Sequence, residues 1–380
     1  MSPRERSPRG SIVKTGLVWD ERYMWWDTRA GAAFMPAGGW VEPGEPHAEN
    51  PATKRRFKNL IDVSGMADHL VPIKPRMATI EEVERYHTKD YVARMKELSD
   101  SGGGDAGELT PFAGGGFEIA LLAVGGTLTA IEMVVSGELE TAYALVRPPG
   151  HHAQKDIGRG FCMFSNAALG ALHARHALGL ERVAVVDWDV HHGNGTQWAF
   201  YDDPSVLTIS LHQDRYYPVD SGMVEETGEG AGVGTNINVP LPSGSGVGAY
   251  VSAFERVVVP ALNRFQPDLI IVASGLDASA LDPLARQQMH SAGYRELTRF
   301  LMDTASANKA HLVFTHEGGY SAAYVPFCGL AVLEELTGHS TPVEDPYLPV
   351  FVSIGGQDLQ PHQAALIDQS AALVENVPTR

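Results

Sequence analysis

Cysteine is scarce in this chain of 380 residues: only Cys162 and Cys328 occur. Two thiols cannot build a disulfide framework or a Cys-rich zinc module, so any metal must be held by histidine and carboxylate. The pair suits a reducing compartment, and a cytoplasmic protein is expected. Basic residues are also short, with Lys+Arg at 29 against Asp+Glu at 46, for a net charge of -17. Such a surface repels phosphate backbones and anionic lipid, which argues against nucleic-acid or membrane-surface binding and mildly favours a cationic ligand. No apolar run is read as approaching the ~20 residues of a membrane span. Stretches such as Leu269 to Ala273 are strand-sized. No apolar segment follows the polar residues Met1 to Gly10, so no secretory leader is expected. That tail is predicted to be disordered, and residues 11–380 to form a single domain. Internal repeats are missing. The glycines of Gly228 to Gly234 do not form a GxGxxG turn, and neither a GxSxG elbow nor an HExxH helix is found.

What is present is an ordinary globular composition, 44% hydrophobic and 20% charged. Five short apolar or β-branched segments read as buried strands: Ala142 to Val146, Val183 to Val186, Val206 to Leu211, Leu269 to Ser274 and Leu312 to Thr315. Helical periodicity marks Phe117 to Val135, Asn166 to Leu178, Gly248 to Phe265 and Ser291 to Ala307. Alternating strands and helices predict an α/β fold, with a parallel sheet covered by helices on both faces. Two Gly/Pro-rich stretches, Gly31 to Pro51 and Ser101 to Gly116, are too long for simple turns and suit a pocket mouth or a subunit contact.

Ligands of such sheets bind beyond the carboxyl ends of the strands. Six of the fifteen histidines fall there: His151 and His152, His191 and His192, His212, and His316. Asp187, Asp189 and Asp277 fall there too. Asp189 and His191 are two residues apart in an extended segment, so their side chains share one side. With Asp277 from another strand end they can converge on one Zn²⁺ or Fe²⁺ and leave open positions for water and substrate. Singly, each is as easily a cap or a surface charge. Together they point to a metal, because buried charge at a strand end needs a partner.

His151 and His152 follow the stiff Pro148-Pro149-Gly150, which fixes where the rings point. Two imidazoles side by side can divide the work of base and acid, with Asp187 and Asn194 as partners that set different basicities. Tyr320, after Gly318-Gly319, can donate to a developing oxyanion. Cys162, between Phe161 and Met163, reads as an inert core thiol.

The strings RPPGHH, GFCMFSN, VVDWDVHHGNGT, SLH, SGLDA and EGGY stand in this order from Arg147 to Tyr320. Together they resemble the zinc-dependent histone deacetylase superfamily, most closely its class II members and the bacterial histone deacetylase-like amidohydrolases. The likeness runs from about Gly16 to about Gly338. It implies a single open α/β domain similar to arginase, with a central, mostly parallel eight-stranded sheet. It implies one Zn²⁺ per chain on Asp189, His191 and Asp277. In that likeness His152 is the base and acid, His151 its electrostatic partner, and Asp187 and Asn194 stand behind them. Tyr320 stabilises the oxyanion. Phe161 and Tyr217 form tunnel walls, Gly160 is a further substrate-binding residue, Leu284 lies at the rim, and Asp105 grips the substrate backbone. A structural K⁺ is implied at Asp187, Asp189, His191, Ser210 and Leu211.

Some positions depart from the pattern. Leu276 and Tyr217 stand where phenylalanine is usual, and Leu284 replaces the acidic gatekeeper of a specialised polyamine deacetylase. The expected reaction is amide hydrolysis of an N-acylated amine, such as acetyl-lysine or an acetylpolyamine. Two alternatives are a binuclear Mn²⁺ ureohydrolase of the arginase type, which needs a second ligand cluster, and a non-enzymatic acyl-amine binder. A homo-oligomer, dimer or tetramer, is expected.

Overall fold

Eight strands form one sheet in which every pairing is parallel. In chain order they are β1 (Thr15–Val18), β2 (Val71–Ile73), β3 (Thr141–Ala144), β4 (Val183–Asp187), β5 (Val206–Gln213), β6 (Asn236–Leu241), β7 (Leu269–Ser274) and β8 (His311–His316). Their spatial order is β6-β5-β4-β7-β8-β3-β1-β2. The computed structural model describes residues 13–42 and 44–380, so the tail predicted at residues 1–10 lies outside the described residues.

Each central strand is buried on both faces, and alternate residues serve two cores. Ala184, Val186, Ile270, Val272, Leu312 and Phe314 join one core, under helices that include Ser291–Asn308 and Val325–Thr337. Val183, Val185, Leu269, Ile271 and Val313 join the other, under Gly116–Val135 and Asn166–His176. This is why the strands read as continuous apolar runs rather than alternating ones.

Gly116–Val135 corrects the reading that no membrane-length stretch occurs. The helix is long and apolar enough to cross a bilayer, yet its most apolar window is 67% buried inside the fold, which makes it a core helix. The apolar helix predicted over Gly248 to Phe265 is interrupted: Val247–Ala253 and Val259–Phe265 flank a π-helical turn at Phe254–Val258.

The two Gly/Pro-rich stretches are folded. Ala30–Ala32 pairs with both Met35–Pro36 and Glu45–Pro46. Gly103–Asp105 pairs with Pro111–Ala113, while Gly107–Glu108 runs parallel to Gly158–Arg159. These small sheets bring Phe34 and Leu109 to one cavity above the carboxyl edge of the main sheet.

Chain order reverses between β4 and β7: β5 and β6 continue outward on one side, and β7 starts again on the other. A cleft opens where neighbouring connections diverge in this way. The contiguous strands β4, β7, β8 and β3 all end at that cleft.

Candidate active site

Asp189 and His191 follow β4, Asp277 follows β7, Tyr320 follows β8, and His151 and His152 follow β3. One ligand atom from each of Asp189, His191 and Asp277 lies within 4.8 Å of the other two, and all three residues are buried. His191 Nδ1 is 3.1 Å from Asp189 Oδ1 and 3.1 Å from Asp277 Oδ2. Its Nε2 faces the Leu284 carbonyl at 3.3 Å, the kind of outer partner that fixes a ligating imidazole.

The electrostatics call for a cation here. Burial, followed by the charge of Asp189, pushes the Asp277 carboxyl up to about 6. Burial opposes the charge on His191, but Asp189 and Asp277 outweigh it and push the ring well up. Two buried carboxylates and one imidazole converging with open space beside them fit a divalent transition metal. No side chain fits at Gly318, where a Cβ would collide with the carboxylates of Asp277 and Asp189.

The tandem histidines are divided by their partners. His151 Nδ1–H donates to Asp187 Oδ2 at 2.9 Å, and His152 Nδ1–H donates to Asn194 Oδ1 at 2.7 Å. Burial works against a charge on His151, but the Asp189 and Asp187 carboxylates prevail and raise it to about 10. Burial, then the positive charges of His151 and His191, hold His152 well below the ordinary histidine value. The two neighbouring rings are therefore pushed in opposite directions.

Tyr320 packs edge-on to Phe161 at 5.7 Å. Burial and the charges of Asp277 and Asp189 push its phenol well above the usual range, so it stays a donor. Phe161, Gly160, Tyr217, Leu284, His152, His191 and Tyr320 line a cavity of about 310 Å³. Three further lining residues escaped the sequence reading: Phe34, Leu109 and Tyr216, whose ring stacks on His191 at 6.0 Å. Tyr217 turns its hydroxyl away from His152 to donate to Glu108 at 3.2 Å, while its ring meets His152 edge-on at 5.0 Å.

Asp105 does not line the cavity. It is exposed, and its Oδ1 accepts from the N–H groups of Gly107 and Thr110, holding its own hairpin. Of the residues assigned to K⁺, Asp187 and Ser210 line a separate small cavity of about 10 Å³. The side chains of Asp189 and His191 join the converging set with Asp277, and the Leu211 side chain joins the apolar core, which leaves their backbone carbonyls as the groups the K⁺ reading uses. Cys162 is buried with its thiol pushed up by desolvation, as an inert group should be.

Three further carboxylates support the site. Glu317 Oε2 accepts from Gly150 N–H at 2.6 Å and His151 N–H at 3.1 Å, gripping the turn that carries the tandem histidines. Glu49 pairs with the fully buried Arg147 at 2.8 Å and with Lys54 at 3.3 Å. Asp282 holds the main chain of Tyr320. An ionisable residue in a strand-end loop or beside Pro and Gly is the signal they share.

Among the described residues two other groups bring three potential ligands together. Glu82 and Glu132 are engaged by Arg76 and by His173 itself, and His151, Cys162 and Glu317 combine a tandem histidine with a protonated thiol.

A parallel eight-stranded sheet with this site at its carboxyl edge defines a hydrolase of the arginase and deacetylase architecture. The chain matches the histone deacetylase domain over residues 47–336. It is 49% identical over 336 residues to a histone deacetylase-like amidohydrolase of Pseudomonas aeruginosa, covering 88% of each chain. It is 38% identical over 288 residues to a probable deacetylase of Archaeoglobus fulgidus, covering 74% of this chain and 79% of that one. The crystal structure of the HDA15 HD domain superposes with a TM-score of 0.79 at 30% identity, covering 96% of this chain and 99% of that one. The chain belongs to the histone deacetylase family.

Proposed function

We propose that this chain is a zinc-dependent amidohydrolase that cleaves the amide of an N-acylated amine, such as an acetylated lysine side chain or a small acetylated amine. The observation that carries this reading is the convergence of Asp189, His191 and Asp277 beside a neutral histidine, a cationic histidine and a tyrosine, at the floor of one aromatic-walled cavity. Zn²⁺ held by those three residues would polarise the amide carbonyl and acidify a water.

The chain's own groups supply the rest. His152 Nε2 takes the proton of the attacking water and, once protonated, gives one to the departing amine nitrogen. Asn194 fixes the His152 tautomer that makes this exchange work. His151, favoured as a cation by Asp189 and by its Asp187 partner, offsets the negative charge that builds as the carbonyl becomes tetrahedral. The Tyr320 hydroxyl donates to the same oxygen. Phe161, Tyr217, Leu109 and Leu284 enclose the stem of the substrate and exclude water. K⁺ in the small cavity at Asp187 and Ser210 is a structural part of the proposal, with backbone oxygens of Asp189, His191 and Leu211 as further donors.

The test is hydrolysis by the purified protein of acetyl-lysine and trifluoroacetyl-lysine peptides, N-acetylpolyamines and simple aryl amides. Turnover of at least one member, reduced about 10²- to 10³-fold in kcat by Tyr320→Phe, is expected. A Tyr320→Phe variant with undiminished kcat would remove the oxyanion role.

A further inference from the structure

Asp282 sits on the segment that leaves Asp277 and is 8% exposed. Each of its carboxylate oxygens accepts one main-chain N–H. Oδ2 takes that of Tyr320 at 2.7 Å, and Oδ1 takes that of Leu284 at 2.8 Å. The Asp282 N–H donates to the Ser279 carbonyl at 3.0 Å, which ties the residue into its own turn.

What it holds needs holding. Tyr320 follows Gly318 and Gly319, and Gly319 has φ +125°, so the backbone leading to the phenol has little local restraint. The Gly318 N–H is anchored on Asp189 Oδ2 at 2.8 Å, and the Tyr320 N–H on Asp282. On the other arm, the carbonyl of Leu284 meets His191 Nε2 at 3.3 Å. One carboxylate therefore links the oxyanion donor, the tunnel rim and the imidazole of the ligand set.

We propose that Asp282 is a positioning residue that sets the direction of the Tyr320 hydroxyl through the Tyr320 backbone. This rests on the reading that Tyr320 stabilises the oxyanion. The chemistry requires a carboxylate. An asparagine has one acceptor oxygen, and its amide N–H₂ would face the second main-chain N–H donor to donor. A displacement of about 1 Å at a catalytic group can cost about 100-fold in rate.

The experiment is a double-mutant cycle on the metal-loaded protein with Asp282→Asn, Tyr320→Phe and both together. Hydrogen exchange of the peptide containing Tyr320 and metal content are measured alongside. Expected for Asp282→Asn are a kcat lower by about 10- to 100-fold, KM changed less than about threefold, full metal content and faster exchange at the Tyr320 amide. The double variant should be no slower than Tyr320→Phe alone. If the two losses multiply, or if Asp282→Asn keeps its kcat, the Asp282 proposal is overturned while the Tyr320 role stands. If Tyr320→Phe alone keeps its kcat, both readings fall. Should Asp282→Asn not fold, the smaller Asp282→Ser, which retains one acceptor, is read by the same criteria.

Discussion

The rings of His151 and His152 lie 3.9 Å apart, yet a carboxylate stands behind the first and an amide behind the second. That difference, Asp187 against Asn194, adds to the pull of Asp189 on His151 and to the burial of His152, and the two rings of one dipeptide are pushed in opposite directions. Exchanging it should move the chemistry in a stated direction. In Asn194→Asp a carboxylate faces His152 Nδ1 and stabilises its protonated form, so the ring is a free base only at higher pH. The acid limb of the kcat/KM profile should shift upward by about 1–2 pH units. An unmoved limb would mean that His152 is not the group titrating there.

The ligand set makes a prediction independent of turnover. Asp277→Asn removes one of two buried carboxylates and leaves a set of one carboxylate, one imidazole and a weak amide donor. Metal analysis after dialysis should show about one zinc per chain in the parent and a large loss in the variant. Two metals per chain in the parent would favour the binuclear ureohydrolase alternative.

The tunnel walls should separate by role. The Tyr217 hydroxyl is spent on Glu108, so Tyr217→Phe should leave kcat within about threefold. Phe161→Ala removes a wall and a packing partner of Tyr320, and should raise KM about 10-fold or more. Steady-state kinetics on one acylated amine checks both. Equal effects from the two variants would contradict the assignment.

Much of this site was legible because family-like strings occupy the ends of strands, where a parallel sheet places its ligands. The strand at Leu269–Ser274 and the helix starting at Ser291 were predicted to the residue at those boundaries. Three strands were not seen. Thr15–Val18 and Val71–Ile73 are too short to show a pattern, and Asn236–Leu241 carries Pro240, which is tolerated because the strand lies at the sheet edge. The cavity's outer walls were hidden for another reason. Phe34 and Leu109 reach it through small sheets built from distant Gly-rich segments, a placement that no local periodicity encodes. The same holds for Glu317 and Asp282, whose partners are main-chain amides of other loops.

Acid should destabilise the fold through groups outside the site. His87 is buried, and its Nε2 accepts the Ser165 N–H at 3.0 Å, which requires an unprotonated nitrogen. Burial lowers it from 6.5 to about 3. A depressed folded value means the unfolded chain binds the proton first. The His87 contribution is therefore complete above about pH 6.5 and lost progressively down to about 3, on the order of 4 kcal/mol. Glu49 adds a second window. Burial opposes its charge, but Arg147 and Lys54 lower it to about 2 from 4.5, so its contribution fades between those values. Denaturant unfolding followed against pH should show His87→Gln flattening the slope between about 6.5 and 3 relative to the parent. Parallel curves would exclude His87 as a source.

One metal on Asp189, His191 and Asp277 is what the proposed function requires for amide hydrolysis. The most direct measurement is hydrolysis of the best acylated amine by chelator-stripped protein as zinc is added back. Negligible turnover is expected in the stripped protein, with a linear recovery that saturates at about one zinc per chain and no recovery in Asp277→Asn. Turnover that survives stripping, or that needs two metals per chain, would rule out a single catalytic zinc.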